Sequence, residues 1–164
     1  MTAAEFNTLL LSKKLTIATA ESITAGLLAS TIASVPGASS VLKGGIITYN
    51  PELKIKILGV NPKTLEQHSA ESIETTIEMV KGLSKLNLIA DIYVAVTGVA
   101  SAPINDYKIN KPVGQIYVAI LFKKQLYSFE TIISTNPSEN QRNVIREQSV
   151  CFILDKISSL IKKS

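Results

Sequence analysis

Tryptophan is absent, and histidine and cysteine occur once each, as His68 and Cys151, in a chain of 164 residues. One cysteine excludes an internal disulfide, and one cysteine with one histidine excludes the usual zinc ligand sets. Free thiol chemistry of this kind fits a reducing, cytoplasmic compartment. A Ser-His-Asp triad would rest on His68 alone, in a polar stretch after Pro62. No apolar run approaches the roughly 18 residues of a membrane span. Residues 1–14 lack the charged start, apolar centre and cleavage site of a signal peptide. Aromatic residues make up only 5%, and no aromatic platform for RNA is visible. The net charge of +4 is mild and its lysines are scattered, which suits a small anionic ligand better than nucleic acid. There is no G-x-G-x-x-G, no Walker A loop and no G-x-S-x-G elbow, and neither a metal nor a cofactor is expected.

What is present is a globular composition, 46% apolar and 18% charged. The length fits one domain with its own core, spanning 1–164. Residues 3–13 read as a short helix. Leu15 to Ala20 alternates as a strand does. A helix over 24–34 stops before Val35-Pro36-Gly37, and Val41 to Tyr49 reads as a strand kinked at Gly44-Gly45. Asn50-Pro51 opens the next helix, which ends at Gly59; Asn caps the free N–H groups and Pro suits the first helical position. Asn61-Pro62 begins a short turn. Residues 71–86 carry Ile73, Ile77, Val80 and Leu83 near one stripe, the pattern of a helix. Asp91 to Val96 suits a buried central strand, followed by a polar loop from Gly98 to Lys111. Val113–Phe122 and Leu126–Ile133 read as a hairpin around Lys123-Lys124-Gln125. A last helix runs over 138–161. This order predicts an α/β fold: a three-layer α/β/α sandwich with a mixed central sheet. The sheet edge and the long apolar last helix suit self-association into a homo-oligomer.

Four clusters carry the chemistry. The first strand enters its helix through Glu21-Ser22-Ile23-Thr24-Ala25-Gly26. Strand ends in open α/β sheets bind ligands, and a helix start offers unpaired N–H groups. Spacing alone does not separate a helix cap at Ser22 or Thr24 from a nucleophile. The second cluster is Thr48-Tyr49-Asn50-Pro51-Glu52-Leu53-Lys54. A serine nucleophile needs a base, and a lysine serves once burial lowers its pKa from about 10.4; a solvated helix lysine has the same spacing. The third, Thr97-Gly98-Val99-Ala100, ends a strand in small residues, as a ligand wall or an ordinary turn does. The fourth, Arg142 and Arg146, places two guanidinium groups on one helix face. There they either meet phosphate or carboxylate, or form a solvated face.

Together these clusters resemble the CinA C-terminal domain family, whose active members are nicotinamide-nucleotide amidases. The likeness runs from about Leu9 to Leu160. It rests on Ala20-Glu21-Ser22-x-Thr24-x-Gly26, Pro36-Gly37-Ala38-Ser39, Gly45-Ile46-Ile47-Thr48-Tyr49-Asn50 with Lys54, and Leu58-Gly59-Val60. Thr97-Gly98-Val99-Ala100, Lys111-Pro112-Val113-Gly114 and Arg142-x-x-x-Arg146 complete it. The resemblance implies hydrolysis of nicotinamide mononucleotide to nicotinic acid mononucleotide and ammonia. It implies Ser22 as nucleophile, assisted by Lys54 directly or through Tyr49. The expected substrate contacts are Thr24, Gly26, Thr97, Gly98, Arg142 and Arg146, with oxyanion donors near 24–26 or 97–98 and the phosphate at Arg146. The chain departs from the family pattern at Ser101-Ala102-Pro103, where Gly-Pro-Gly is usual. It departs again at Ala25, where a second glycine is common, and at Ser69 and Glu71, which replace a glycine and a small apolar residue. The altered 101–103 loop motivates a second expectation, a nucleotide-binding domain with weak or no turnover.

Overall fold

The computed structural model describes residues 1–102, 110–136 and 140–164. Pro103 and the expected start of the last helix at Ser138 lie outside the described residues. The sheet comprises β1 (Ile17–Glu21), β2 (Leu42–Ile47), β3 (Ile92–Gly98), β4 (Gln115–Phe122) and β5 (Gln125–Ile132). The helices are α1 (Ala3–Ser12), α2 (Leu27–Ala33), α3 (Pro51–Leu58), α4 (Pro62–His68), α5 (Ile73–Leu83) and α6 (Gln141–Lys163).

The strand order is β2-β1-β3-β4-β5. β1 pairs in parallel with β2 and β3, and β4 runs antiparallel to both β3 and β5. From β1 the chain crosses outward to β2, then returns past β1 to β3. That reversal makes the carboxyl end of β1 the switch point, where such sheets open a crevice. Ser22 is the next residue after β1.

Alternation along the strands divides the core. Ile17, Val94, Val96, Ile116, Val118 and Ile120 face one side, covered by α1, α2 and α6 through Phe6, Leu28, Ile153 and Ile157. Ala18, Ala20, Ala95 and Ala119 face the other, against Met79, Val80 and Leu83 of α5 and Leu58 of α3. Small side chains on that face let α5 lie close to the sheet. α5 also lies close to α3: a Cβ on Gly82 would stand 1.8 Å from the Leu58 carbonyl oxygen.

The three-layer α/β/α arrangement and the mixed sheet match the expected fold class. The differences are local. Asn61-Pro62 opens a seven-residue helix, because Asn61 Oδ1 accepts the Lys63 N–H as a cap. The helix expected from Thr24 begins at Leu27, because Ala25 and Gly26 both adopt positive φ, 48° and 91°, and no helix passes through that conformation. Among the described residues no helix is long and apolar enough to cross a membrane.

Candidate active site

Ser22 ends the β1 ladder by donating its N–H to the Val96 carbonyl, 3.1 Å away. On the other side, Thr48 donates its N–H to the Glu21 carbonyl at 2.9 Å, so β2 is tied to the same strand end. Alternation turns the Ser22 side chain to the face covered by α3 and α5. α3 starts two residues after Tyr49, where Asn50 Oδ1 accepts the Glu52 N–H at 2.8 Å and Pro51 takes the first turn. One turn in, Lys54 points back under the sheet. Its Nζ lies 2.9 Å from Ser22 Oγ and 2.5 Å from the Thr48 carbonyl oxygen.

Lys54 is 1% exposed. Burial pushes its pKa down from 10.5 to about 8, and the nearby Glu71 carboxylate partly opposes that shift. Charged, the amine donates to both oxygens; neutral, its lone pair accepts the Ser22 hydroxyl proton. A serine hydroxyl against an amine that loses its proton near pH 8 is the arrangement of an activated nucleophile.

Tyr49 is placed elsewhere. It is 52% exposed, and its hydroxyl accepts from Arg142 Nη2. No hydrogen bond joins it to Ser22 or Lys54 among the described residues, so of the two expected routes the geometry has the direct contact between lysine and serine. Arg142 Nη1 also donates to Ser101 Oγ at 2.8 Å. Its two side-chain partners among the described residues are therefore hydroxyls, and the side chain is exposed.

The other expected substrate contacts divide sharply. Arg146 Nη2 donates to the Thr24 carbonyl at 2.9 Å, and Nη1 to Asn143 Oδ1 at 3.2 Å. Arg146 thus braces the turn beneath Ser22, its Nε buried with no partner among the described residues, while Arg142 reaches the Tyr49 and Ser101 hydroxyls. Thr24 caps no helix: its Oγ1 is buried with no partner among the described residues. Gly26 gives its N–H to Glu21 Oε2 at 3.0 Å, which removes it from the expected oxyanion donors. Thr97 Oγ1 lies 2.7 Å from Thr76 Oγ1, which donates to the Ser72 carbonyl at 2.6 Å. The Thr97 proton is therefore spent inside the core.

Gly98 differs. Val99 donates its N–H to Gln115 on β4, so alternation aims the Gly98 N–H the opposite way, past the last paired residue of β1. A Cβ on Gly98 would stand 2.4 Å from the Gln115 carbonyl oxygen, so the close approach of β4 requires glycine here.

Two participants carried no sequence-derived role. Glu21, 1% exposed, gathers the start of α2; its place in the Ala20-Glu21-Ser22 motif is the signal the sequence carries, without a role attached. Lys111 donates to the His68 carbonyl and Ser69 Oγ, each at 2.9 Å, and to the Glu71 carbonyl. It pins the Ser69–Glu71 segment, in which Ser69 holds φ 74° and ψ 168°, a region otherwise kept to glycine. His68 is exposed in α4, its Nδ1 3.7 Å from Glu74 Oε1, and no hydrogen bond joins its side chain to Ser22 or Lys54 among the described residues.

The sequence model of the CinA C-terminal domain matches residues 1–161. A "CinA-like protein" of Petrotoga mobilis is 35% identical over 96% of this chain and 37% of its own length. The Thermotoga maritima "CinA-like protein" is 38% identical over 94% of this chain and 36% of its own length. The chain thus spans little more than a third of these relatives. "Protein MG115 homolog" of Mycoplasma pneumoniae is 39% identical over 94% of this chain and 93% of its own length. Among solved structures, a competence or damage-inducible protein from Enterobacter asburiae superposes with a TM-score of 0.86 at 25% identity, covering 98% of this chain and 99% of that one. The competence/damage inducible protein CihA from Agrobacterium tumefaciens gives 0.83 at 28% identity, covering 96% and 94%.

Proposed function

Because the chain belongs to the CinA C-terminal domain family, and because Lys54 meets Ser22 at its sheet switch point, we propose that it is a serine amidase that hydrolyses the carboxamide of nicotinamide mononucleotide. The observation that carries this reading is the 2.9 Å contact between Ser22 Oγ and a buried amine of lowered pKa.

Neutral Lys54 takes the hydroxyl proton as Ser22 Oγ attacks the carboxamide carbon. The oxyanion meets the Gly98 N–H, since the Gly26 N–H is already occupied. Lys54 returns its proton to the departing nitrogen, the C–N bond breaks and ammonia leaves. Lys54 then deprotonates a water, which attacks the acyl-enzyme, and nicotinic acid mononucleotide is released with Ser22 restored. Arg142 is the better phosphate partner than Arg146, because its charge faces solvent at the rim beside Tyr49. The protein works as a homo-oligomer in the cytoplasm in this reading.

The test is ammonia release from pure protein and nicotinamide mononucleotide, with Ser22→Ala and Lys54→Ala as controls. Release that depends on both residues is expected. Release unchanged by Ser22→Ala, or none from the wild type, overturns the reading. Saturable binding of the mononucleotide without release would favour the non-catalytic alternative.

A further inference from the structure

The residue before the nucleophile is a buried acid that faces no cation among its hydrogen-bond partners. Glu21 Oε2 accepts the N–H groups of Gly26 and Leu28, each at 3.0 Å. Oε1 accepts the Ala29 N–H at 2.9 Å and the Thr19 hydroxyl at 3.1 Å. Three of these donors are backbone N–H groups at the start of α2, which no residue within the helix can satisfy. The strand residue therefore takes up the free donors of this helix start.

The turn that this carboxylate closes is an unfavourable one. Ala25 and Gly26 both hold positive φ, and an alanine in that region is held there only by its surroundings. Ala25 donates its N–H to the Ser22 carbonyl at 3.1 Å, and Arg146 holds the Thr24 carbonyl from outside. Glu21 ties the far end of the same turn to the strand that carries Ser22. Its side chain and that of Ser22 leave opposite faces of β1, so Glu21 acts only through the backbone.

We propose that Glu21 is the positioning residue of the nucleophile: its carboxylate replaces an anion at the start of α2 and locks the 22–26 turn that sets Ser22 Oγ against Lys54 Nζ. The inference rests on Ser22 being the nucleophile and is independent of which amide is cleaved. Glu21→Gln tests it well. Gln keeps one acceptor oxygen, best spent on Gly26 and Leu28, but turns an NH2 group toward the Ala29 N–H.

The readout is the rate at which Ser22 is phosphonylated by a fluorophosphonate. The Oγ–P bond forms, the P–F bond breaks, fluoride leaves and the hydroxyl proton passes to Lys54. Rates are taken per folded molecule, with the pH profile of labelling and thermal unfolding measured in parallel. A displacement of the hydroxyl on the order of 1 Å is expected to slow labelling roughly 10- to 100-fold. The midpoint of the pH profile stays near that of the wild type, because Lys54 is untouched. Labelling by folded Glu21→Gln within twofold of wild type overturns the proposal and leaves Glu21 a stabilising cap only. If Glu21→Gln does not fold, Thr19→Val, which removes one donor from Oε1, is read in the same way. A several-fold loss supports the proposal and an unchanged rate overturns it. Wild type labelled at Ser22 yet inert toward the mononucleotide would sink the substrate assignment, with the variant ratio still deciding the role of Glu21. Wild type unlabelled at Ser22 would overturn both.

Discussion

Replacing Lys54 by methionine tests the site from two directions. Lys54 is 1% exposed, and burial brings its pKa from 10.5 to about 8. At pH 7 about one molecule in ten then holds a neutral amine, against about one in three thousand at the unshifted value. With Lys54 as the base, kcat/KM rises about tenfold per pH unit below 8 and levels off above it. The same shift has a cost in stability. Between pH 8 and 10.5 the unfolded chain holds this proton and the folded chain does not, so wild-type stability rises with pH across that window. Below it the folded protein carries the whole penalty, on the order of 3 kcal/mol.

Lys54→Met therefore abolishes ammonia release and Ser22 labelling. It also gains stability relative to wild type at pH 7, partly offset because the Thr48 carbonyl loses its Lys54 donor. The assay is thermal unfolding of both proteins from pH 7 to 10.5, together with labelling rates over pH 6 to 9. The stability difference shrinks toward pH 10.5, and the offset cancels in that comparison because it does not vary with pH. A difference that stays constant with pH, or a labelling profile that is flat over pH 6 to 9, would refute the reasoning.

Three further outcomes follow from the geometry. Glu71→Gln removes the carboxylate that raises the Lys54 pKa, so the midpoint of the labelling profile moves below that of wild type; an upward move contradicts the electrostatics. Arg142→Ala removes the rim cation that meets Tyr49 and Ser101. It should raise KM for the mononucleotide about tenfold or more, while Ser22 labelling stays within about twofold because the Lys54 contact is untouched. Gly82→Ala drives a methyl into the Leu58 carbonyl and should lower stability by about 1–3 kcal/mol, read by denaturant unfolding.

Elements set by local chemistry were legible in the chain. Asn50-Pro51 starts a helix as its cap and proline predict, since both act within one turn, whereas the same pair at Asn61-Pro62 reads as a turn and opens a seven-residue helix. The alternation in 15–20 located β1 and, with it, the turn that bears Ser22. Where neighbours in space override local preference, the reading shifted. α2 starts three residues later than its composition suggests, because a turn held by Glu21 and Arg146 precedes it. Thr97 carries the right chemistry for a ligand contact, but Thr76, distant in sequence, already pairs with its hydroxyl, and Arg146 gives Nη2 to the equally distant Thr24 carbonyl.

Residue types and spacing thus determined the α/β class, the order of elements and the small set of groups able to do acyl chemistry. Only the tertiary structure decided which of those groups meet. Lys54 reaches Ser22 across 32 positions because β2 pairs with β1 and delivers α3 beneath the strand end. Burial, which makes that lysine a base, is likewise a property of the packed sheet and helices, since desolvation depends on every neighbour in space and on almost none in sequence.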